Sequence, residues 1–163
     1  MVAVTPLAGA GAEIGEVDIT HASDNDFAII EKAFADYGVI FFRDQQLSEQ
    51  EHLAFARRWG SVNVNRFFAQ HEHFPEIALV TKEPDDEFNI GSAWHADHSY
   101  DADPALGSML VARELPPTGG DTLFASMYAA YDALPADLLE FVNTHSALPV
   151  SYTHLTLPTN REV

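Results

Sequence analysis

Ser23-Asp-Asn-Asp-Phe-Ala-Ile-Ile-Glu-Lys-Ala-Phe-Ala-Asp-Tyr37 runs directly into Gly38-Val-Ile-Phe-Phe42, and the hydrophobic period changes at the glycine. In the first part apolar residues recur at every third or fourth position, which predicts a helix with an apolar face formed by Phe27, Ile30, Phe34 and Tyr37. Ser23 with Asp26 supplies an N-cap, and Gly38 ends the helix. The four apolar residues after the glycine are typical of a short buried strand.

Similar signals predict the elements on either side. Residues 1–20, which mix Val, Ile and Thr with Gly, predict short strands joined by turns. Ser48-x-x-Glu51 is a capping box that opens a second helix, which we expect to run to Gly60 with Leu53, Phe55, Ala56 and Trp59 as its apolar positions. Further strands are predicted at Ile77–Thr81, Ser92–Tyr100, Ser108–Ala112 and Thr122–Ala125. Helices are predicted at Met127–Leu134 and Ala136–His145, and loops at residues 61–75, 82–89 and 116–120.

The composition narrows the class of protein. The chain has 163 residues, with 8 Lys+Arg against 25 Asp+Glu, so its formal charge is −17. That charge repels phosphate groups, so we expect neither nucleic acid nor an anionic membrane surface as a partner. With no cysteine, thiolate metal ligands and Cys nucleophiles are excluded. The expectation is a cytoplasmic globular protein that acts on a small molecule, and a homo-oligomer is left open.

Trp94-His95-Ala96-Asp97 is the strongest candidate for a metal site. Alternate residues of a strand face the same side, so His95 and Asp97 are expected to project together. An imidazole and a carboxylate in this arrangement suit the non-haem Fe(II) centre built from two His and one carboxylate. Trp94 is placed to shield such a site from water. Taken alone, the same spacing also fits a surface strand with polar residues.

The His-x-Asp pattern becomes more specific because several other motifs accompany it in order along the chain. They are Gly38–Gln45, Phe55–Gly60, Trp94–Asp97, Ala112–Leu123 (Ala-Arg-Glu-Leu-Pro-Pro-Thr-Gly-Gly-Asp-Thr-Leu) and Ala130–Pro135. Together they resemble the TauD/TfdA family of Fe(II)- and 2-oxoglutarate-dependent dioxygenases over residues 4–148. The resemblance implies a mainly β fold with flanking helices, in which the core is a double-stranded β-helix (jelly roll).

The resemblance also implies a chemistry and roles for particular residues. His95 and Asp97 would bind Fe(II), and Thr122, after the Gly119-Gly120 turn, would contact the carboxylate of 2-oxoglutarate. The reaction would use O₂ to oxidise a small organic substrate, with release of succinate and CO₂. A hydroxyl beside a glycine turn can donate to a carboxylate, although a β-branched strand residue is the alternative reading of Thr122.

Two expected groups and the substrate residues are less well matched. The family's distal iron-binding His and its 2-oxoglutarate-binding Arg have no counterpart, since His145, His154 and Arg161 lie in no matching motif. Members that oxidise taurine carry His, Tyr and Asn at positions that correspond here to Asn65, Phe68 and Gly91. Taurine is therefore disfavoured. Asn65, Phe68 and Trp94 are the candidate substrate residues.

These departures lead to an expectation about domains. Residues 1–150 are expected to be the N-terminal portion of a dioxygenase domain, with the jelly roll incomplete. Residues 151–163 (Ser-Tyr-Thr-His-Leu-Thr-Leu-Pro-Thr-Asn-Arg-Glu-Val) resemble translated adapter sequence, and a genuine polar tail is the alternative.

Other functions are carried as alternatives. One is a truncated fragment of such an enzyme that catalyses nothing. Another is a zinc hydrolase, because His95-Ala96-Asp97-His98 matches the end of an H-x-H-x-D-H motif, although Ala93 occupies the position of the first His. His71-Glu72-His73 also resembles a ligand set but reads better as a solvated loop.

Overall fold

A computed structural model of the chain describes residues 1–65, 67–87, 91 and 93–148. Its elements, in chain order, are β1 (Ala3–Pro6), β2 (Ala12–Gly15), α1 (Asp24–Tyr37), β3 (Ile40–Phe41), α2 (Glu49–Ala56), β4 (Ala69–Gln70), β5 (Ala78–Leu79), α3 (Met127–Asp132) and α4 (Ala136–Thr144). Predicted features at residues 88–90, at Ser92 and in the 151–163 tail lie outside the described residues.

Two small sheets organise the strands. In the first, the order is β1-β2-β3, with β1 antiparallel to β2 (Ala3 opposite Gly15) and β2 parallel to β3 (Ala12 opposite Ile40). Parallel neighbours require a crossover, and α1 provides it. In the second sheet β4 is antiparallel to β5, which adds a short strand inside the predicted loop 61–75.

Helix α1 confirms its prediction almost residue for residue. The Ser23 hydroxyl accepts from the Asp26 backbone N–H, and the Asp26 carboxylate accepts from the Ser23 N–H in return, which forms a capping box. Gly38 ends the helix with a φ of 73°, a left-handed conformation that glycine adopts without steric cost. The hydrogen bond from Ser23 holds the pKa of the Asp26 carboxyl below its usual value.

Helix α2 begins where predicted and ends early. Ser48 and Glu51 form a second capping box. The helix ends at Ala56 rather than reaching Gly60, because the Arg58 N–H bonds to the Phe55 carbonyl and the Trp59 N–H to the Ala56 carbonyl, at 3.1 and 3.0 Å. Such three-residue bonds tighten the chain at a helix end. The turn aims the Trp59 ring into the core, edge-on to Phe27 and Phe34 at ring-centroid distances of 4.9 and 5.3 Å.

The core lies between the first sheet and helices α1 and α2. Its two largest fully buried side chains are Ile14 of β2 and Ile30 of α1. Around them pack further buried residues, namely Val2, Ile19, Ala33, Leu47 and Phe55. Gln45 joins two loops at the border, because its side chain accepts from the Ile19 N–H at 3.0 Å and donates to the Val17 carbonyl at 3.1 Å.

The later part of the chain differs from the prediction. In the described residues no strand ladder forms within 92–100, 108–112 or 122–125, although strands were predicted there. Residues 97–100 form a turn instead. A ladder needs a neighbouring backbone with free N–H and C=O groups, and none of the described segments supplies one here. The helices α3 and α4 are confirmed, with the break at Pro135.

Residues 108–112 nevertheless keep a strand-like alternation of side chains. Met109 and Val111 pack against the core, whereas Leu110 between them is 72% exposed. Helix α2 holds this segment in place: His52 hydrogen-bonds the Met109 backbone, and Arg113 donates to the Leu47 carbonyl and pairs with Glu49 at 3.5 Å. No helix in the described part of the chain has the length and apolar character to cross a membrane.

Replacing Ile30 tests the core. Ile30→Ala should reduce the free energy of unfolding by about 2–5 kcal/mol, because it removes a fully buried side chain and leaves a cavity. Ile29→Ala, one position along the same helix but at a side chain that is 36% exposed, is the matched control and should cost much less. Denaturant unfolding measures both changes. Equal losses in the two variants would contradict the assigned core face.

Protonation of His52 should lower the stability of the folded protein, because the charged ring is partly buried. Burial lowers the pKa of His52 below its ordinary value of 6.5, so the folded protein binds this proton less readily than the unfolded chain. The stabilising contribution is therefore complete above about pH 6.5 and is lost as the pH falls through the lowered pKa. Unfolding curves from pH 8 to pH 5 should show this loss in the wild type and in the exposed-site control His73→Gln. In His52→Gln the slope should be smaller; an unchanged slope would refute the assignment.

Candidate metal centre

His95 and Asp97 face each other, as their spacing predicts. The His95 Nε2 and Asp97 Oδ1 atoms are 3.3 Å apart, and the two side chains are 55% and 60% exposed. Asp97 opens the turn of residues 97–100, in which the Asp101 N–H donates to the His98 carbonyl at 3.0 Å. The pair is therefore formed by a residue outside any helix or strand and the first residue of a turn, rather than by a strand in a sheet.

The ring nitrogen of His95 that lies away from Asp97 has a hydrogen-bond partner of its own. This partner identifies which of the two ring nitrogens carries the proton. The His95 Nδ1 atom lies 2.8 Å from the Ala93 carbonyl oxygen. A carbonyl can only accept, so Nδ1 carries the proton and Nε2 of the neutral ring offers its lone pair toward Asp97. Two acceptor atoms then face each other, an arrangement that a metal ion bound between them would stabilise.

The separation of these two atoms suits a metal. Ligand atoms bound at right angles, each about 2.1 Å from a metal, are about 3 Å apart. The observed 3.3 Å is close to that value without any rearrangement. Within the described ranges no group of three or more His, Cys, Asp or Glu residues is arranged to hold a metal. The two atoms are therefore a candidate pair of neighbouring metal ligands, as the sequence predicted.

Ser108 orients the carboxylate from the core side. Its hydroxyl donates to the second Asp97 oxygen, Oδ2, at 3.3 Å. A hydrogen bond to the non-ligating oxygen of a carboxylate is a common way of orienting a metal ligand. The sequence indicated Ser108 only as the first residue of a strand, because nothing local relates it to a side chain eleven positions earlier.

Gly91 lies against the other ligand. It has a φ of 71°, and a Cβ placed on it would lie 3.3 Å from His95 Cε1 and 3.9 Å from Nε2. A side chain at this position would therefore be strained and would press on the imidazole. The sequence had indicated Gly91 only as a departure from the pattern of taurine-oxidising enzymes.

Thr122 is not brought to the pair by the described residues. It is exposed, and no hydrogen bond in the described part of the chain joins it to His95 or Asp97. The turn before it is confirmed, since Gly119 and Gly120 have φ values of 78° and 75°. Gly120 also packs tightly on Pro116, where an added Cβ would be 3.1 Å from the ring. The role of Thr122 stays a prediction.

The candidate substrate residues occupy two different places. The Asn65 side chain accepts from the Phe67 N–H at 2.8 Å, and Phe68 follows as a half-buried residue. Trp94 is 71% exposed, so the residues described here leave the metal pair open to solvent. The sequence did not indicate Phe67. Its ring contacts the ring of Tyr100, the last residue of the turn at 97–100, at a centroid distance of 6.3 Å.

The other clusters have local partners. His98 Nδ1 lies 3.0 Å from Asp101 Oδ2, so its ring is directed to that carboxylate rather than to Asp97. In the His71-Glu72-His73 segment, the His71 Nδ1 accepts from the His73 backbone N–H at 3.2 Å. That bond is local to the loop, as the sequence suggested.

The architecture and the cis pair define a candidate mononuclear metal enzyme, and comparison with known families specifies it. The profile of the family described as Taurine catabolism dioxygenase TauD, TfdA family matches residues 3–162. The chain therefore belongs to the TauD/TfdA family, and the resemblance drawn from its motifs is confirmed.

Two characterised relatives illustrate the family. The chain is 33% identical over 148 residues to the (S)-phenoxypropionate/alpha-ketoglutarate-dioxygenase of Sphingobium herbicidovorans, a match that covers 88% of this chain and 52% of that protein. It is 37% identical over 150 residues to the alpha-ketoglutarate-dependent 2,4-dichlorophenoxyacetate dioxygenase of Cupriavidus pinatubonensis, with 82% and 52% covered. The chain thus spans about half the length of these relatives.

Solved structures agree with the fold. A taurine dioxygenase from Burkholderia xenovorans matches with a TM-score of 0.68 and 29% identity, which covers 88% of this chain and 51% of that one. The enzyme AAD-2, solved with Mn(II) and N-oxalylglycine, matches with a TM-score of 0.60 and 26% identity, with 87% and 49% covered. Dependence on alpha-ketoglutarate (2-oxoglutarate) is confirmed for the family, and with it the predicted cofactor set of Fe(II), 2-oxoglutarate and O₂.

Gly91→Ala should weaken metal binding at His95. The added methyl group must displace the ring by a few tenths of an ångström and is strained at a positive φ. Gly9→Ala is the matched control, because Gly9 also has a positive φ but has open space around it. Titration with Mn(II), followed by paramagnetic broadening of the His95 ring protons, should give at least a severalfold weaker apparent affinity for Gly91→Ala only. Equal affinities in both variants would show that the space beside His95 is unimportant.

Proposed function

We propose that this chain carries the N-terminal portion of an Fe(II)- and 2-oxoglutarate-dependent dioxygenase that oxidises a small organic substrate and releases succinate and CO₂. The observation that carries the proposal is the His95–Asp97 pair, in which two lone-pair atoms face each other at 3.3 Å in a chain of this family. Iron bound there, with O₂ and 2-oxoglutarate, supplies the oxidising chemistry.

In this proposal, residues of the chain bind the metal, and their neighbours hold them in the orientation that binding needs. His95 binds through Nε2 while the Ala93 carbonyl fixes its tautomer, and Asp97 binds through Oδ1 while Ser108 holds its other oxygen. Both supporting contacts come from the protein itself, so they orient the two side chains toward each other. An N,O pair of this kind leaves the remaining metal positions for another protein ligand, for 2-oxoglutarate and for O₂.

Thr122 is the proposed anchor for 2-oxoglutarate. Its exposed hydroxyl is free to donate to a carboxylate, and the Gly119-Gly120 turn permits close approach of the backbone. An Arg is the natural partner for the far carboxylate, because its planar guanidinium donates two parallel hydrogen bonds. That Arg and the third iron ligand belong to the remaining portion of the proposed domain.

Two observations support an incomplete domain. The matched relatives are about twice as long as the matching region. In addition, the later part of the described chain exposes large apolar side chains, including Leu110, Leu123, Phe124, Met127 and Leu148. Exposed apolar groups at this density mark a surface that packs against further structure. The proposed portion is residues 1–150.

The substrate is proposed to be a small organic acid. Relatives named as dioxygenases of phenoxypropionate and dichlorophenoxyacetate support this class. Taurine is disfavoured by the departures at Asn65, Phe68 and Gly91. Asn65 and Phe68 are proposed to contact the substrate, with Trp94 excluding water once the domain is complete.

The iron assignment predicts a spectroscopic signal. Under anaerobic conditions, Fe(II) and 2-oxoglutarate added to the protein of the complete reading frame should give a visible metal-to-ligand charge-transfer band. Asp97→Ala should abolish the band, since it removes one of the two proposed ligands. Asp103→Ala removes an exposed carboxylate six residues away and should leave the band unchanged.

The same measurement separates the alternatives. A folded complete protein that gives no band would overturn the iron assignment. Hydrolysis that proceeds with zinc and without O₂ or 2-oxoglutarate would favour the hydrolase instead. A non-catalytic fragment predicts neither signal, and we expect the 163-residue chain alone to turn over substrate weakly or not at all.

A further inference from the structure

Three aromatic rings link the metal turn to the loop that carries the candidate substrate residues. The Phe67 and Tyr100 rings meet edge to face, with their centroids 6.3 Å apart and their planes at 88°. On its other side Tyr100 contacts the His98 ring, at 5.8 Å and 39°. Phe67 thus lies two residues from Asn65 and one from Phe68, while His98 directly follows the ligand Asp97.

At the Asp97 end of this link, His98 and Asp101 are held together by two interactions. His98 Nδ1 pairs with Asp101 Oδ2 at 3.0 Å, and the Asp101 N–H donates back to the His98 carbonyl at 3.0 Å. The side chains of His98 and Asp101 are 24% and 30% exposed, whereas His95 and Asp97 are more than half exposed. The turn is therefore better packed at its far end than at the ligand pair.

The loop-side half is fixed as well. The Phe67 N–H donates to the Asn65 side chain at 2.8 Å, and the Gln70 side chain donates to the Asn65 carbonyl at 3.4 Å. The next residues form β4, which pairs with β5, and the His71 N–H then bonds to the Ile77 carbonyl at 2.9 Å. The position of Phe67 is thus tied to the second sheet.

We propose that Tyr100 is a positioning residue, which sets the distance between the Asp97 turn and the segment of residues 67–70 through its contact with Phe67. Among the described residues no hydrogen bond or ion pair joins 67–74 to 93–101, so the ring contact provides the specific link between them. The importance of this ring contact for substrate placement rests on the proposed function. The contact between the two segments does not depend on that function.

The contribution of such a contact has a known range. An edge-to-face aromatic pair stabilises its partners enough to change a local opening equilibrium by about 2- to 12-fold. Removing the Tyr100 ring should therefore increase the hydrogen-exchange rates of the Phe67 and His71 amides by a factor in this range. Both amides donate hydrogen bonds within the loop and the second sheet.

Amide exchange measured without metal or cosubstrate tests the link. Tyr100→Ala should speed exchange at Phe67 and His71, and Tyr100→Phe, which keeps the ring, should restore the wild-type rates. Tyr128→Ala removes a tyrosine that is 85% exposed and should leave both rates unchanged. Fast exchange in Tyr100→Ala that Tyr100→Phe does not rescue would overturn the proposal, as would wild-type rates in Tyr100→Ala.

A double-mutant cycle keeps the test decisive if Tyr100→Ala also disturbs the turn. Phe67→Ala and Tyr100→Ala act on one contact, so their combined effect on His71 exchange should be smaller than the product of the separate effects. Independent, multiplicative effects would contradict the coupling. Because no iron is present, these outcomes are distinct from loss of the charge-transfer band, which would overturn the proposed function and leave the link intact.

Discussion

Ile14 of β2 and Ile30 of α1 are buried in one core, and the rest of the structure depends on this packing. It fixes α1 as the crossover between the parallel strands β2 and β3 and closes the core. Met109 and Val111 pack on that same core, which places the adjacent Ser108 beside Asp97. The orientation of the candidate ligand Asp97 therefore follows from hydrophobic packing much earlier in the chain.

Local signals predicted the first part of the fold well. The capping boxes at Ser23 and Ser48 and the stop at Gly38 depend on groups within four residues of one another, so the local sequence is enough to predict them. The short strand after Gly38 was predicted from its apolar residues, although its ladder is formed with the distant strand β2. The end of α2 was wrong by about one turn, because the Arg58 and Trp59 N–H groups bond to carbonyls three residues back and the helix ends at Ala56. Strands after residue 92 were wrong in the described region because a ladder depends on a partner, which no local pattern records. The complete jelly roll stays a proposal.

The candidate site likewise has features that the local sequence predicts and features that depend on distant residues. His95 and Asp97 are two positions apart, and their juxtaposition could be predicted from spacing alone. Ser108 and Tyr100 act on partners 11 and 33 positions away, which only the folded chain reveals. Gly91 is intermediate, since a positive φ is a typical glycine role but its contact with the His95 ring is not readable from sequence.

The distribution of buried residues also bears on how the protein is made. All the fully buried apolar side chains of the described region lie at or before Phe55, and their contacts are largely between neighbouring elements. Such short-range contacts form quickly, and a ribosome releases a chain from its N-terminus at about 5–20 residues per second. The buried residues can therefore begin to pack while His95 and Asp97 are still being synthesised, so that the candidate ligands join a part of the chain that has already begun to fold.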